Sequence, residues 1–412
     1  MQKNLQKIFG ILLATIAGNS HAENNVLNNF NNAIKNGAPE FTLRPRYENA
    51  EQQGLLDSRA TTMRTTVGYE SADFYHTIAK VELVDVANFF GLHYNPGVSD
   101  LNKPQYTVIN DPSGAGITEA KISYSGWTNN LITFGRQYIQ LDNERFIGKN
   151  DLRQYPQSFD ALSFNSTFIP NMDFYYAYVW YVNTNNANGR AAEGRRQLST
   201  NLLNVAWDTL KYGKVYGYVY FNDDHAISTN SNITFGARLA SPTNLEETDN
   251  YAYAIEIARQ QARFNNPTAY VAYYLDCNIS KTIDILTFTA GIERLSGSAQ
   301  GNNKAFITPL GSVDDFSGLA QVFTTTPARG LQDVYGIIDA TYKDLYGAIT
   351  YHYFRFDKGP GAKTAGNEID ISAGVKINEH FDFSVVYAKY NARNSLTSTT
   401  RRFWVMLTAN LI

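Results

Sequence analysis

The chain has 412 residues, a formal net charge of −3, 43% hydrophobic and 14% aromatic residues, and one cysteine, Cys277. A lone cysteine excludes an internal disulfide framework and a cysteine-built zinc site. The near-neutral balance, with no basic run, excludes the electrostatics of a nucleic-acid binder.

At the N-terminus, Lys3 and Lys7 precede an apolar run from Ile8 to Ala17, and then come Gly18, Asn19, Ser20, His21 and Ala22. A basic head, an apolar stretch too short to span a bilayer and small residues at positions 20 and 22 predict a signal peptide, residues 1–22. Its removal takes two lysines and no acids, moving the net charge from −3 to −5. Beyond Ala22 no apolar stretch approaches the ~20 residues of a membrane helix. The densest run, Phe174 to Val182, is strand-length and aromatic. Two classes are left: a soluble periplasmic protein, or an outer-membrane barrel.

Residues 23–39 form a periplasmic N-terminal segment, in which Leu27, Phe30 and Ile34 fall at i, i+3 and i+7 between asparagines. That spacing predicts a short helix ending at Gly37. From Phe41 the apolar period becomes two. Phe41, Leu43, Pro45 and Tyr47 alternate with Thr42, Arg44, Arg46 and Glu48; Met63, Thr65, Val67 and Tyr69 alternate with Thr62, Arg64, Thr66 and Glu70. Ile369, Ile371, Ala373, Val375 and Ile377 do the same against Glu368, Asp370, Ser372, Gly374 and Lys376. The final segment sets Phe403, Val405, Leu407, Ala409 and Leu411 against Arg402, Trp404, Met406, Thr408 and Asn410. Side chains alternate faces along a strand, so each such segment has one greasy row and one wettable row.

About eighteen segments have this character, each near the ~9–11 residues that a tilted strand needs to cross a bilayer. They begin near residues 40, 60, 74, 117, 130, 158, 172, 199, 214, 233, 251, 268, 285, 333, 345, 367, 381 and 402. Ser71–Asp73, Gly126–Asn129, Ile169–Asn171, Lys343–Asp344 and Asn378–His380 are tight connections. Val86–Gly116, Leu141–Gln157, Asn183–Leu198, Leu295–Gln332 and Asp357–Gly366 are long and rich in Gly, Asn and Pro. Short periplasmic turns alternating with long outer loops mark an outer-membrane barrel. One pair breaks the rule: Ala240–Asn250 is long and Gln261–Asn266 is short. The expected architecture is a single all-β antiparallel transmembrane barrel over residues 40–412, about eighteen strands, with both termini periplasmic.

Parity then assigns side chains. A charge facing lipid at the midplane costs ~2–4 kcal/mol for Arg or Lys, so the charged rows face the interior. Arg44, Arg46, Arg64, Lys80, Lys121 and Lys376 belong there, with Glu48, Glu70, Glu82, Glu119, Glu368 and Asp370. Opposed acids and bases make a transverse field across a water-filled constriction; paired across neighbouring strands, they would only hold the wall polar. Arg136 shares parity with Ile132 and Phe134, so placing it inside requires a bulge at Gly135, the alternative being a rim position. After it, Asp142, Glu144, Arg145, Lys149, Asp151 and Arg153 crowd one loop, expected to fold inward and narrow the barrel or else to lid its outer face.

Gly135–Arg136–Gln137, Leu141–Asp142–Asn143, Arg145–Phe146, Gly148, Arg153–Gln154 and Phe159–Asp160–Ala161 follow one another in this region. Together they resemble a signature of the alginate-export family of outer-membrane proteins. Leu43–Arg44–Pro45–Arg46–Tyr47–Glu48 is similar to that family's first strand, and Thr326 to Asp333 to the entry of a late strand. Tyr351 to Asp357 and Glu368–Ile369–Asp370 resemble the hairpin that follows. The resemblance runs from about residue 30 to the end and implies an eighteen-stranded conduit. Two positions depart from it: Leu152 replaces a tryptophan, and the chain ends in Ile412 instead of the usual aromatic.

The function expected is a porin-like channel passing small hydrophilic solutes, with export of an anionic, alginate-like polysaccharide as the alternative. Its partners would be outer-membrane lipid, lipopolysaccharide, the barrel-assembly machinery and the solute or polysaccharide; no cofactor and no metal is expected. A membrane hydrolase needs a nucleophile within reach of a histidine base. His352 is the candidate for an inward base, and no serine constellation surrounds it in the sequence; the Asp142/Glu144 pair lies in a charged loop. An adhesin would use Val86–Gly116 or Leu295–Gln332.

Overall fold

The computed structural model describes residues 20–190, 194–209, 213–242, 250–300, 303–312, 316–361 and 363–412, with side chains from Asn25 onward. Most of the expected signal peptide therefore lies outside the described residues. A helix, α1 (Ser20–Lys35), precedes β1 (Ala38–Gln52), β2 (Ser58–Glu70), β3 (Thr77–Asn88), β4 (Gly114–Tyr124), β5 (Asn130–Gln137) and β6 (Ser158–Ser166). Next come β7 (Met172–Asn183), β8 (Arg195–Asp208), β9 (Lys214–Asn222), β10 (Asn232–Ala240), β11 (Tyr251–Ala262) and β12 (Val271–Ile283). The last six are β13 (Leu286–Ser296), β14 (Gly330–Tyr342), β15 (Leu345–Arg355), β16 (Thr364–Lys376), β17 (Phe381–Ala392) and β18 (Thr400–Asn410).

Each strand pairs antiparallel with its sequence neighbours, and β1 pairs with β18 as well as β2. The closing seam runs from Thr42 opposite Asn410 to Gln52 opposite Thr400. The sheet is a closed barrel with no free edge, the one sheet arrangement that hydrocarbon tolerates. Strands β4, β8, β14 and β16 begin three or four residues before the expected starts, and two strands begin three residues later. The third strand begins at Thr77 because Phe74 and Thr77 exchange backbone hydrogen bonds around Tyr75 and His76, whose φ values are 51° and 62°. The twelfth begins at Val271, after a turn in which Thr268 N–H donates to Asn266 Oδ1 at 2.9 Å.

The greasy rows face outward: Val67, Val81, Ile122, Ile257, Ile279 and Ile349 are exposed along the wall. The connections alternate too, with turns 71–76, 125–129, 167–171, 284–285, 343–344 and 377–380 at one end and loops 89–113, 138–157 and 297–329 at the other. The connection 241–250 is long at the short-turn end, as the sequence indicates.

The interior departs from a water-filled cylinder. Its long-loop half is packed by an apolar cluster in which Ile139, Phe146, Ile147, Phe306, Leu310 and Phe323 are loop residues. They pack on inward strand residues such as Leu202, Tyr218, Tyr274 and Phe354. Loops 138–157 and 297–329 are joined by a parallel bridge between Ile147 and Leu310, with Gly148 N–H donating to Leu310 O at 3.1 Å.

Ile349→Arg, on the lipid row near the middle of β15, should destabilise the folded barrel by ~2–4 kcal/mol, with Ile349→Leu nearly neutral. Urea titration of the protein refolded in lipid vesicles measures the difference.

Candidate functional site

The inward rows of β1, β2 and β18 carry Arg44, Arg46, Arg64 and Arg402, all at most 7% exposed. Arg44 Nε donates to Gln154 Oε1 at 3.0 Å, and its Nη1 to the carbonyl of Asp151 at 3.0 Å. Arg64 Nη1 lies 2.5 Å from Asp151 Oδ1. Arg46 stacks over the Trp404 ring at 4.8 Å and pairs with Glu48 at 2.8 Å. Glu48, 1% exposed, also receives Arg402 at 2.7 Å and Arg153 at 3.0 Å. One carboxylate thus faces three guanidinium groups, from β1, β18 and loop 138–157.

Next along the wall, Glu119 lies 2.9 Å from Lys80 and 2.6 Å from Lys121. Glu82 accepts from Tyr138 at 2.5 Å and from Thr118 at 2.6 Å. Glu70 and Lys376 are exposed at the short-turn ends of β2 and β16.

Further round the ring, β11, β12, β13 and β14 contribute Glu256, Asp276, Glu293 and Asp333, and β16, two strands from β18, adds Glu368 and Asp370. This arc is predominantly acidic, offset by Arg238 at 3.1 Å from Glu256 and by His352 at 2.7 Å from Asp333. Sequence reasoning named Glu368 and Asp370 and set Arg402 in a wettable row, but missed Glu256, Asp276, Glu293 and Asp333. The period-two rule that placed Arg44 would have found them, because Ile255, Tyr273, Ile292 and Val334 mark the lipid row beside them.

Loop 138–157 crosses the interior between these arcs. Its Arg153 holds Glu48 and Asp111 on the arginine side, the latter at 3.3 Å. Its Arg145 holds Glu293 on the acidic side at 2.6 Å, and Asn204 donates to its Asp142 at 2.8 Å. Lys149 lies over the Tyr138 ring at 4.3 Å, and Glu144 accepts from Lys149 N–H at 3.0 Å. Asp142, Arg145, Asp151 and Arg153 of this loop meet side chains of the inner wall, while Glu144 and Lys149 make contacts within the loop.

Loop 297–329 closes the other side. Ala320 N–H donates to Glu368 Oε1 at 2.6 Å and its carbonyl accepts from Arg402 Nε at 2.9 Å, so a single residue bridges the acidic and basic walls. Leu319 N–H adds a bond to Asp370 at 3.1 Å. Gly318, at φ +85°, permits the approach: a Cβ there would lie 2.5 Å from Glu368 Oε1. Below loop 138–157, toward the short turns, remains a chamber of about 490 Å³ lined by Lys121, Thr133, Asp142, Asp173, Tyr175 and Asn204.

Two expectations need correction. Arg136 does not turn inward. The register through Gly135 is unbroken on both sides despite its φ of +118°, and the extra residues sit on neighbouring strands, at Thr118 of β4 and Trp180 of β7. Arg136 keeps the outward face of Phe134 near the long-loop rim, where Asp160 takes it at 2.6 Å and takes Arg195 at 2.9 Å. The charged rows are also not simply bathed in water: most of their members are buried under the loops and paired.

Ser199 Oγ lies 2.9 Å from His225 Nε2, a pairing that sequence reasoning did not bring together. Asp223 approaches that same nitrogen at 3.9 Å instead of the opposite one, so the group lacks the geometry of a catalytic relay. Among the described residues no cluster of His, Cys, Asp or Glu is arranged to hold a metal.

Searches against family models and against curated proteins returned no match. Solved structures do match. OccK1 (OpdK) of Pseudomonas aeruginosa aligns at a TM-score of 0.67 and 12% identity, covering 92% of this chain and 99% of that one. OccAB4 of Acinetobacter baumannii aligns at 0.66 and 13%, covering 91% and 98%. OpdL of P. aeruginosa aligns at 0.65 and 14%, covering 92% and 100%. At that identity the likeness is one of fold, which for this chain is a closed eighteen-stranded antiparallel barrel.

Arg145→Ala should cost ~3–5 kcal/mol by leaving Glu293 buried and unpaired, and a second change, Glu293→Gln, should recover most of it; urea titration of single and double variants measures both. Burial, opposed by the bond from Asn204, pushes Asp142 up to about 6. A carboxyl raised in the folded state contributes stability that is full below its unfolded value near 4 and is lost as pH rises through 6. Asp142→Asn should therefore remove a pH dependence of up to about 3 kcal/mol between pH 4 and 7, read as the difference between wild-type and variant stability curves.

Proposed function

We propose that this protein is an outer-membrane channel through which small hydrophilic solutes pass passively. The observation that carries this reading is a closed barrel with a polar chamber, a largely basic wall and a largely acidic wall, and a charged loop laid between the walls. Such a cross-section orients a polar solute and admits only small ones. The fold shared with the Occ structures supports it, and one of those, OpdK, was solved with vanillate. A solute of that size suits the chamber here.

In this reading residues 1–22 are removed on export, the barrel-assembly machinery inserts the strands, and the short turns and both termini face the periplasm. Lipid and lipopolysaccharide surround the outward rows. Arg44, Arg46, Arg64, Lys80, Lys121, Glu82, Glu119, Glu368 and Asp370 set the field of the passage, and Arg145 and Arg153 anchor its constriction.

Export of an alginate-like polymer is the second reading, favoured by the residue pattern from Gly135 to Ala161 and by the four arginines of β1, β2 and β18. The two loops packed inside weigh against it, because a polymer needs a continuous lumen.

Deleting Asn143–Asp151 should raise single-channel conductance in a planar bilayer; an unchanged conductance would remove the loop from the passage. Reversal potentials under a salt gradient separate the readings. Weak selectivity supports a small-solute channel, and strong anion selectivity supports the uronate conduit. Addition of vanillate as a blocking probe should interrupt current in the intact protein and do so less after the deletion.

A further inference from the structure

The helix α1 is not spent on the barrel. Tyr69 shares the outward row of β2 with Met63, Thr65 and Val67, and its hydroxyl donates to the carbonyl of Ile34. The last turn of the helix therefore lies outside the cylinder, against the lipid side of the wall. Three further contacts hold it to the β2–β3 turn. Ala72 N–H donates to Ala33 O at 3.0 Å, Asn29 donates to the Tyr75 hydroxyl at 3.1 Å, and Phe30 meets Phe74 edge-on at 5.6 Å.

At ~100° per residue these contacts occupy only one side of the helix, the side of Asn29, Ala33 and Phe30. A second side presents Leu27 and Ile34, which are 53% and 48% exposed among the described residues. A third presents Asn25, Asn28, Asn31 and Asn32, all exposed and uncharged. The level of the helix is set by its neighbours. Tyr75, Trp127 and Phe168 stand on successive short turns and are 55%, 60% and 73% exposed. Aromatic side chains collected at one end of a barrel mark the plane where acyl chains meet headgroups.

We propose that α1 is an interfacial helix, lying along the inner-leaflet surface beside the barrel, with Leu27 and Ile34 in the acyl boundary and the asparagine side among the headgroups. Its partner is a lipid surface. The geometry supplies each requirement of such a helix: a position outside the wall, a depth given by the aromatic belt, and separate apolar and polar sides. The polar side is asparagine apart from Lys35 in the last turn, so the contact is mainly one of hydrogen bonding and apolar burial. The helix thereby tethers the start of β1, three residues beyond Lys35, to the membrane plane, next to the β1–β18 seam.

The proposal rests on the barrel lying in a bilayer but not on what passes through it, and the test separates the two. In full-length protein carrying Cys277→Ser, an environment-sensitive fluorophore is attached at Ile34→Cys, Asn28→Cys or Ile349→Cys, and the protein is refolded into phosphatidylcholine vesicles. The label at 34 should lose several-fold more emission to a doxyl lipid labelled near the headgroup than the label at 28. Aqueous iodide should reverse that order. Equal iodide quenching at 34 and 28, with the label at 349 quenched by lipid, overturns the proposal while leaving the barrel in place. A label at 34 shielded from both quenchers also overturns it, since a second protein surface would then cover the stripe. A label at 349 untouched by lipid overturns the membrane placement of the barrel and the helix together.

Discussion

Every backbone N–H and C=O that reaches hydrocarbon must find a partner within the protein, because lipid supplies none. In this chain the condition is met by closing the sheet. Leu43 pairs with Ala409 and Tyr47 with Val405 across the seam, so the first and last strands complete each other's hydrogen bonds. Once the ring is closed, the period of two decides everything about the wall. Ile349 and Ile371 meet lipid, and the residues between them on each strand are committed to the interior.

That commitment creates a second problem. Arginines and carboxylates held inside a narrow cylinder must be hydrated or paired, and at the long-loop half they are paired. Glu48 is the centre of the arrangement: Arg46, Arg153 and Arg402 converge on it from one strand, a loop and the closing strand. The loops are drawn inward by these charges and kept there by an apolar cluster around Phe146, Phe306 and Phe323. The result resembles a small globular core inside a barrel more than an open pipe. A chamber lies on the short-turn side of loop 138–157, where the wall is lined by polar groups such as Lys121, Thr133 and Asn204.

Position around the ring also separates the charges into two arcs, since β2 and β11 stand about half a circuit apart. Ala320 shows how closely the arcs approach through the loops: its N–H answers Glu368 while its carbonyl answers Arg402. The backbone of loop 297–329 thus occupies groups that would otherwise face water. A passage built this way is defined by loop packing as much as by barrel diameter, which distinguishes it physically from a wide pore of the same strand number.

Much of this was written in the order of the residues. Alternation is local, so the strands, the lipid-facing rows and the inward placement of Arg44, Arg64 and Glu368 follow from neighbours two positions apart. Loop length is local too, and it separated the two ends of the barrel. Other features depend on groups that the chain brings together from far apart. The unbroken register at Gly135 leaves Arg136 outside, because the bulges that adjust the local geometry fall on β4 and β7. Whether Arg153 would meet water or Glu48 was decided by a loop folding across the ring, and the lipid-side seat of α1 by a tyrosine on a strand that the helix precedes. Period and parity are properties of a segment; pairing inside a closed volume is a property of the whole, and only the tertiary structure could assign it.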